Sequence, residues 1–251
     1  MAVLRIFANA LIMAAEIAAV IGVAAFGYHY PFIFAGVTAG LSFLLGLNLE
    51  TARLRYELPF YFGGLIRPSA VLTALVGSVE ALFKGVLAGV AALFTFCGTN
   101  SDRLFWVAIL FGVCIYAGAS ALRLLSLRGE ALPLRWGYFR LAPLLGLLFS
   151  AGITLLAAAA VVPPASVTDI GWKIIFELPP QPSVEQVSEL FFQIKQVFDD
   201  FIVTVLSAVM DESWARIAGI IVSVNVLSGF VSALYAALIA AGVRRAEETL
   251  L

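Results

Sequence analysis

Charge is what this sequence has least of. Only 12% of its 251 residues are Asp, Glu, Lys or Arg, and the net charge is −1. A soluble domain carries roughly 25% charged residues. A soluble enzyme built round one ordinary core is therefore excluded, and so is a disordered chain. Histidine is nearly absent, with one residue, and cysteine is limited to two. That excludes a disulfide scaffold and bis-histidine haem, and it makes zinc or iron–sulfur ligation a poor fit. No Walker loop, HExxH or Gly-x-Ser-x-Gly occurs, and the arginines are scattered rather than gathered into a patch. No catalytic residue, metal, cofactor or nucleic-acid partner is expected. Cys97 and Cys114 fall at different depths of neighbouring segments and read as small packing residues.

What is present is apolar: 62% of the chain, with a mean hydropathy of +1.03. Segments at about 6–28, 31–49, 69–97, 104–126, 141–162 and 214–243 each reach the ~20 residues a membrane helix requires. They are apolar on all sides rather than alternating, which favours helices over a barrel. Glu16 interrupts the first run, which is also long for a signal-peptide core. The expected fold is all-α: one transmembrane domain of six spans in three hairpins, 6–49, 69–126 and 141–243.

Orientation follows from the cations. Arg5, Arg53, Arg55, Arg67, Arg123, Arg128, Arg135, Arg140, Arg244 and Arg245 fall on one set of helix ends, and Arg103, Lys173, Lys195 and Arg216 on the other. The positive-inside rule puts both termini in the cytoplasm, as an even number of spans requires, in a cell (inner) membrane. Two cytoplasmic loops share an order of Leu-Arg-x-Glu, Leu-Pro, aromatic-Gly and Arg, at Leu54–Arg67 and Leu127–Arg140. Their Arg55, Glu57, Arg67, Arg128, Glu130, Arg135 and Arg140, set beside aromatics, suit a headgroup-level interface or a docking surface. Inner loops gather such residues anyway, so an internal repeat competes with simple anchoring.

The segment 163–212 is the sizeable extracytoplasmic region. Pro179-Pro180-Gln181-Pro182 is a stiff spacer, and Ser183 with Gln186 forms a capping-box pattern. Apolar residues from Val184 to Val209 then recur at helical spacing, opposite a face carrying Glu185, Glu189, Gln193, Gln196, Asp199 and Asp200. Interfacial helices usually carry Lys and Arg there. The expectation is a helix over 184–210 packed on the protein's own outer face or on a neighbouring subunit, with re-entry of 201–212 as the alternative.

Inside the spans lie Glu16, Glu80, Lys84 and Asn225. A charge at the bilayer centre costs ~2.5–3.5 kcal/mol, so these groups should face protein or water. Glu80 and Lys84, at i and i+4, can pair within their helix. They sit beside a ridge of Thr73, Gly77, Ala81, Gly85 and Gly89 that permits close helix contact. The first span has a matching ridge at Ala10, Ala14, Ala18 and Gly22, and the second has Gly36 and Gly40. This makes the third helix the expected centre of the bundle. Two functions follow: a channel, transporter or transporter subunit using the mid-membrane polar cluster, or a non-catalytic scaffold subunit of an envelope complex. The scaffold would hold other membrane subunits, or further copies of itself, through helix 184–210 and the ridges. A lipid-acting enzyme would have only Glu57 and Glu130 as acids.

Overall fold

The computed structural model describes residues 2–61, 70–159 and 182–250. Among these the chain is all-helical, without strands, and six helical stretches are long and apolar enough to cross a membrane. Helix α1 (Ala2–His29) passes through Tyr30 into α2 (Pro31–Tyr61). Pro31 at the first position of α2 loses no hydrogen bond that the helix could make. α3 (Ala70–Thr95) leads to α4 (Ser101–Gly129). Gly98 in that turn has φ +114, a conformation that glycine supplies without steric cost, and Asn100 caps α4 by accepting from the Arg103 N–H at 3.0 Å. After Glu130, which closes α4 in the left-handed region, α5 (Pro133–Trp136) runs through a π-helical turn (Gly137–Leu141) into α6 (Ala142–Ala158). Then come α7 (Val184–Ser207), α8 (Glu212–Val222), a 3-10 turn (Val224–Leu227) and α9 (Ser228–Leu250).

The helix of the second apolar segment does not end at residue 49. α2 continues through Glu50, Arg53 and Glu57 because these charges pair with one another and with α3, so they need not leave the helix. The two loops with a shared residue order also differ. Leu54–Pro59 is helical, whereas Leu127–Pro133 contains the Gly129/Glu130 break. Arg67 and residues 163–181 lie outside the described residues.

The bundle's centre is α9, not the third helix. α9 touches α1, α3, α4, α5, α6 and the π turn, and it buries Val231, Ser232, Ala233, Leu234, Tyr235, Ala236, Ala237 and Ala240. Small residues on several faces of α9 let neighbours approach from all sides. In α3 small residues occupy one strip, and Val79, Leu82, Phe83 and Val86 stay exposed. That strip does its expected packing against α2: Gly77 on Thr51, Ala81 on Gly46, and Gly85 and Gly89 on Ala39. The α1 ridge behaves differently. Ala10, Ala14, Ala18 and Gly22 are exposed, and Ile12, Glu16, Val20 and Ala24 face the bundle instead. Gly36 and Gly40 likewise meet nothing.

Candidate functional site

The informative site grows from the close contact of α2 and α3. The face of α2 that is buried carries Phe34, Thr38, Ser42, Gly46 and Glu50, one residue per four positions. At 1.5 Å per residue this is a polar stripe roughly 20 Å long, from Thr38 to Glu50. Glu50 is fully buried, and the Lys84 ammonium donates to its Oε1. The Arg53 guanidinium reaches three carboxylates: Glu50 at 3.1 Å, Glu57 at 3.1 Å and Glu80 at 2.7 Å. Ser42 Oγ donates to the Lys84 carbonyl at 3.4 Å. Three carboxylates and two cations therefore form one network, with an excess of one negative charge.

Aromatic rings close the network on one side. The π turn, a form that recurs at functional sites, aims Tyr138 and Phe139 at it. Lys84 Nζ lies 5.0 and 4.9 Å from their ring centres, and the Arg53 guanidinium 5.5 Å from that of Phe139. Such contacts stabilise a desolvated cation by about 0.5–2 kcal/mol each. Gly46 leaves the space the Tyr138 hydroxyl occupies. A cavity of about 240 Å³ lies beside Lys84, Tyr138 and Phe230.

The mid-membrane residues singled out from sequence do not form one cluster. Glu80 and Lys84 share the network, but not as an i, i+4 pair: Glu80 takes Arg53 and Lys84 takes Glu50. Pairing Lys84 with Glu80 would leave the fully buried Glu50 a cation short, and an uncompensated buried charge is the costlier arrangement. Glu16 pairs with Arg123 of α4 at 3.6 Å, and Arg123 donates to Glu247 of α9. Asn225 lies in the 3-10 turn that breaks the sixth span. Arg55, Arg128, Glu130, Arg135 and Arg140 are exposed. Sequence reasoning missed Glu50 and Arg53 as site residues because the span was ended at 49; the Thr38–Ser42–Gly46–Glu50 spacing was the available signal.

Toward the opposite end the stripe stops at a ring cluster. Thr38 Oγ1 and the Tyr235 hydroxyl share a hydrogen bond of 3.0 Å. Tyr235 stacks on Phe34 at 5.3 Å, and Phe34 meets Phe96 and Phe111 edge-on at 5.4 and 6.0 Å. Beyond the rings sits α7. Its capping box is formed as expected, with the Gln186 N–H donating to Ser183 Oγ and the Ser183 N–H donating to the Gln186 side chain. Its docked strip mixes polar and aromatic contacts, with Phe191 meeting Phe94 of α3 edge-on at 6.0 Å. Ser188 exchanges hydrogen bonds with the backbone of Gly98 at 3.0 and 3.3 Å, and Phe192 lies under Arg103 at 3.9 Å. Lys195 Nζ donates to the Phe94 carbonyl at 3.2 Å. Asp199 accepts from the Val224 N–H at 2.7 Å and the Ser223 hydroxyl at 3.1 Å. Asp199 thereby caps the break, while Ser150 satisfies the Ile220 carbonyl on the other side of it.

Burial pushes the Lys195 ammonium down to about 8, with Cys97 and Asp199 opposing that shift and Arg103 adding to it. A free lysine titrates near 10.5. Between those values the undocked state binds more protons, so docking of α7 should strengthen as pH rises from about 8 to 10.5. Below that window the cost of the buried charge is fully present. Burial raises the Cys97 thiol, which gives the opposite slope above its ordinary range. Amide exchange along α7 should therefore slow as pH rises through this window, after correction for the intrinsic pH dependence of exchange. Lys195→Met should remove that gain and leave only the Cys97 trend.

Comparison with protein-family models, curated proteins and solved structures gives no match.

Proposed function

We propose that this chain is a transport protein of a cell membrane, with both termini cytoplasmic and a small cation, the proton included, as its cargo. The observation that carries the reading is the continuity of the polar α2 stripe with the five-charge network. Polar groups run from Thr38 at mid-bundle to Glu57 at the end where α2, α4 and α9 finish with their arginines. Charges at this depth are costly, and they mark ion pathways by default. The excess carboxylate favours a cation. Ten arginines on one set of ends support the cytoplasmic placement.

The test is flux into vesicles reconstituted with the full chain, loaded in turn with proton, sodium and potassium gradients. Glu50→Gln and Glu80→Gln should each cut the flux at least tenfold while the protein stays folded in the membrane. Glu16→Gln, in a separate ion pair, should have a much smaller effect. Unchanged flux in a Glu50→Gln/Glu80→Gln double variant would sink the reading.

One observation favours a scaffold subunit instead. The ridge of Ala10, Ala14, Ala18 and Gly22 is exposed where close helix contact is easiest. Stoichiometric recovery of another membrane protein from native membranes, lost on Ala14→Leu, would support that alternative.

A further inference from the structure

We infer that α7 lies in the membrane interface as a three-sided helix, clamped to the bundle on one side, wetted on a second and immersed in lipid on the third. Ser188, Phe192, Lys195 and Asp199, spaced by four, three and four residues, form the clamped side. Glu185, Glu189, Gln196 and Asp200 occupy one flank. Ile194, Phe198, Phe201 and Val205 occupy the opposite flank and are 37%, 52%, 64% and 47% exposed. A helix surface divided this way has a polar flank and an apolar flank on opposite sides of its dock. That is what a helix requires where water and acyl chains meet.

The occupant of the apolar flank follows from what adjoins it. Phe191, three residues before Ile194 and at the edge of the apolar flank, meets Phe94 of α3 edge-on at 6.0 Å. α3 is one of the stretches apolar enough to cross a membrane, and on the face of Phe94 it exposes Val90, Val86 and Phe83. The apolar flank of α7 therefore adjoins an exposed apolar face of α3 that acyl chains would cover. The wet flank is acidic and amide-rich rather than basic. Attachment thus rests on buried apolar area and on the clamp, not on anionic headgroups, and zwitterionic lipid should suffice. This seating differs from the arrangement expected from sequence, in which the apolar face packs on protein.

The test places spin labels at single cysteines in the full chain, with Cys97 and Cys114 replaced by alanine, in phosphatidylcholine vesicles. Labels at Phe198 and Phe201 report the apolar flank, and labels at Gln196 and Asp200 the polar one. The collision ratio of oxygen to a water-soluble nickel chelate should be several-fold higher at 198 and 201 than at 196 and 200. It should change little when phosphatidylglycerol is added. Equal chelate access on both flanks would overturn the inference by putting α7 in water. Exclusion of both reagents at 198 and 201 would overturn it in favour of a protein partner or second copy. Exclusion of the chelate at 196 and 200 would overturn it in favour of full re-entry. Two sites per flank, all partly or fully exposed, guard against loss of fold in any one variant.

Discussion

Lys84→Met is expected to destabilise the bundle by about 3 kcal/mol, the lower end of the range for removing one member of a buried ion pair. Glu50 has no exposure, so it cannot recover solvent when its partner goes. Arg53, 3.1 Å from the other carboxylate oxygen, holds the cost to that lower end. Glu50→Gln/Lys84→Met should restore most of the loss, because the stranded charge is gone. Unfolding in mixed micelles with increasing SDS would measure the cycle. A double variant as unstable as the single would show that the ammonium acts through its contacts with Tyr138 and Phe139 rather than through Glu50. By contrast, Glu248 is exposed and meets Arg244 as an i, i+4 pair, and Glu248→Gln should cost under about 1 kcal/mol.

Gly229→Ala should be the most damaging glycine-to-alanine change among the described residues. The added carbon would fall on the Ala142 carbonyl and on the backbone of Gly146, and neither can rotate away as a side chain can. Gly146→Ala meets the Val226 carbonyl in the same seam. Overpacking against side chains costs about 1–3 kcal/mol. Against backbone the helices must separate, and a loss of ~3 kcal/mol or more is expected, together with slackening of the α6–α9 contact. Gly22→Ala, Gly36→Ala and Gly242→Ala meet nothing and serve as controls, near zero or slightly stabilising. Thermal aggregation of detergent-solubilised protein ranks all five. A Gly229→Ala protein with the wild-type midpoint would show that the seam is looser than described.

The spans were legible because burial in lipid demands long apolar runs, and their number needs no tertiary information. The α3 ridge was legible for a related reason: only small residues at four-residue spacing allow α2 so close. What sequence could not give was the choice of partner. Glu80 and Lys84 satisfy a helical pairing rule, yet Arg53 and Glu50 lie on the neighbouring helix with better reach. The charges at 50, 53 and 57 looked like a helix end because apolar runs stop at charges, whereas these charges neutralise one another and the helix continues. The apolar residues of α7 divide between dock and exposed flank for the same reason. An apolar stripe is drawn to protein in water, but beside a bilayer lipid satisfies it equally, and the scarce polar contacts go to the dock. The break at Ser223–Leu227 carries no proline, and its cap, Asp199, comes from another helix.

The ring cluster of Phe34, Phe96, Phe111 and Tyr235 has an electrical consequence. In the transport reading these rings are where the polar stripe ends: Phe34, Phe96 and Phe111 are at most 1% exposed, and beyond the Tyr235 hydroxyl a cation leaving Thr38 would meet carbon. A charge crossing the whole membrane does about 2.3 kcal/mol of electrical work per 100 mV. The share done at the rings would set how steeply flux responds to voltage.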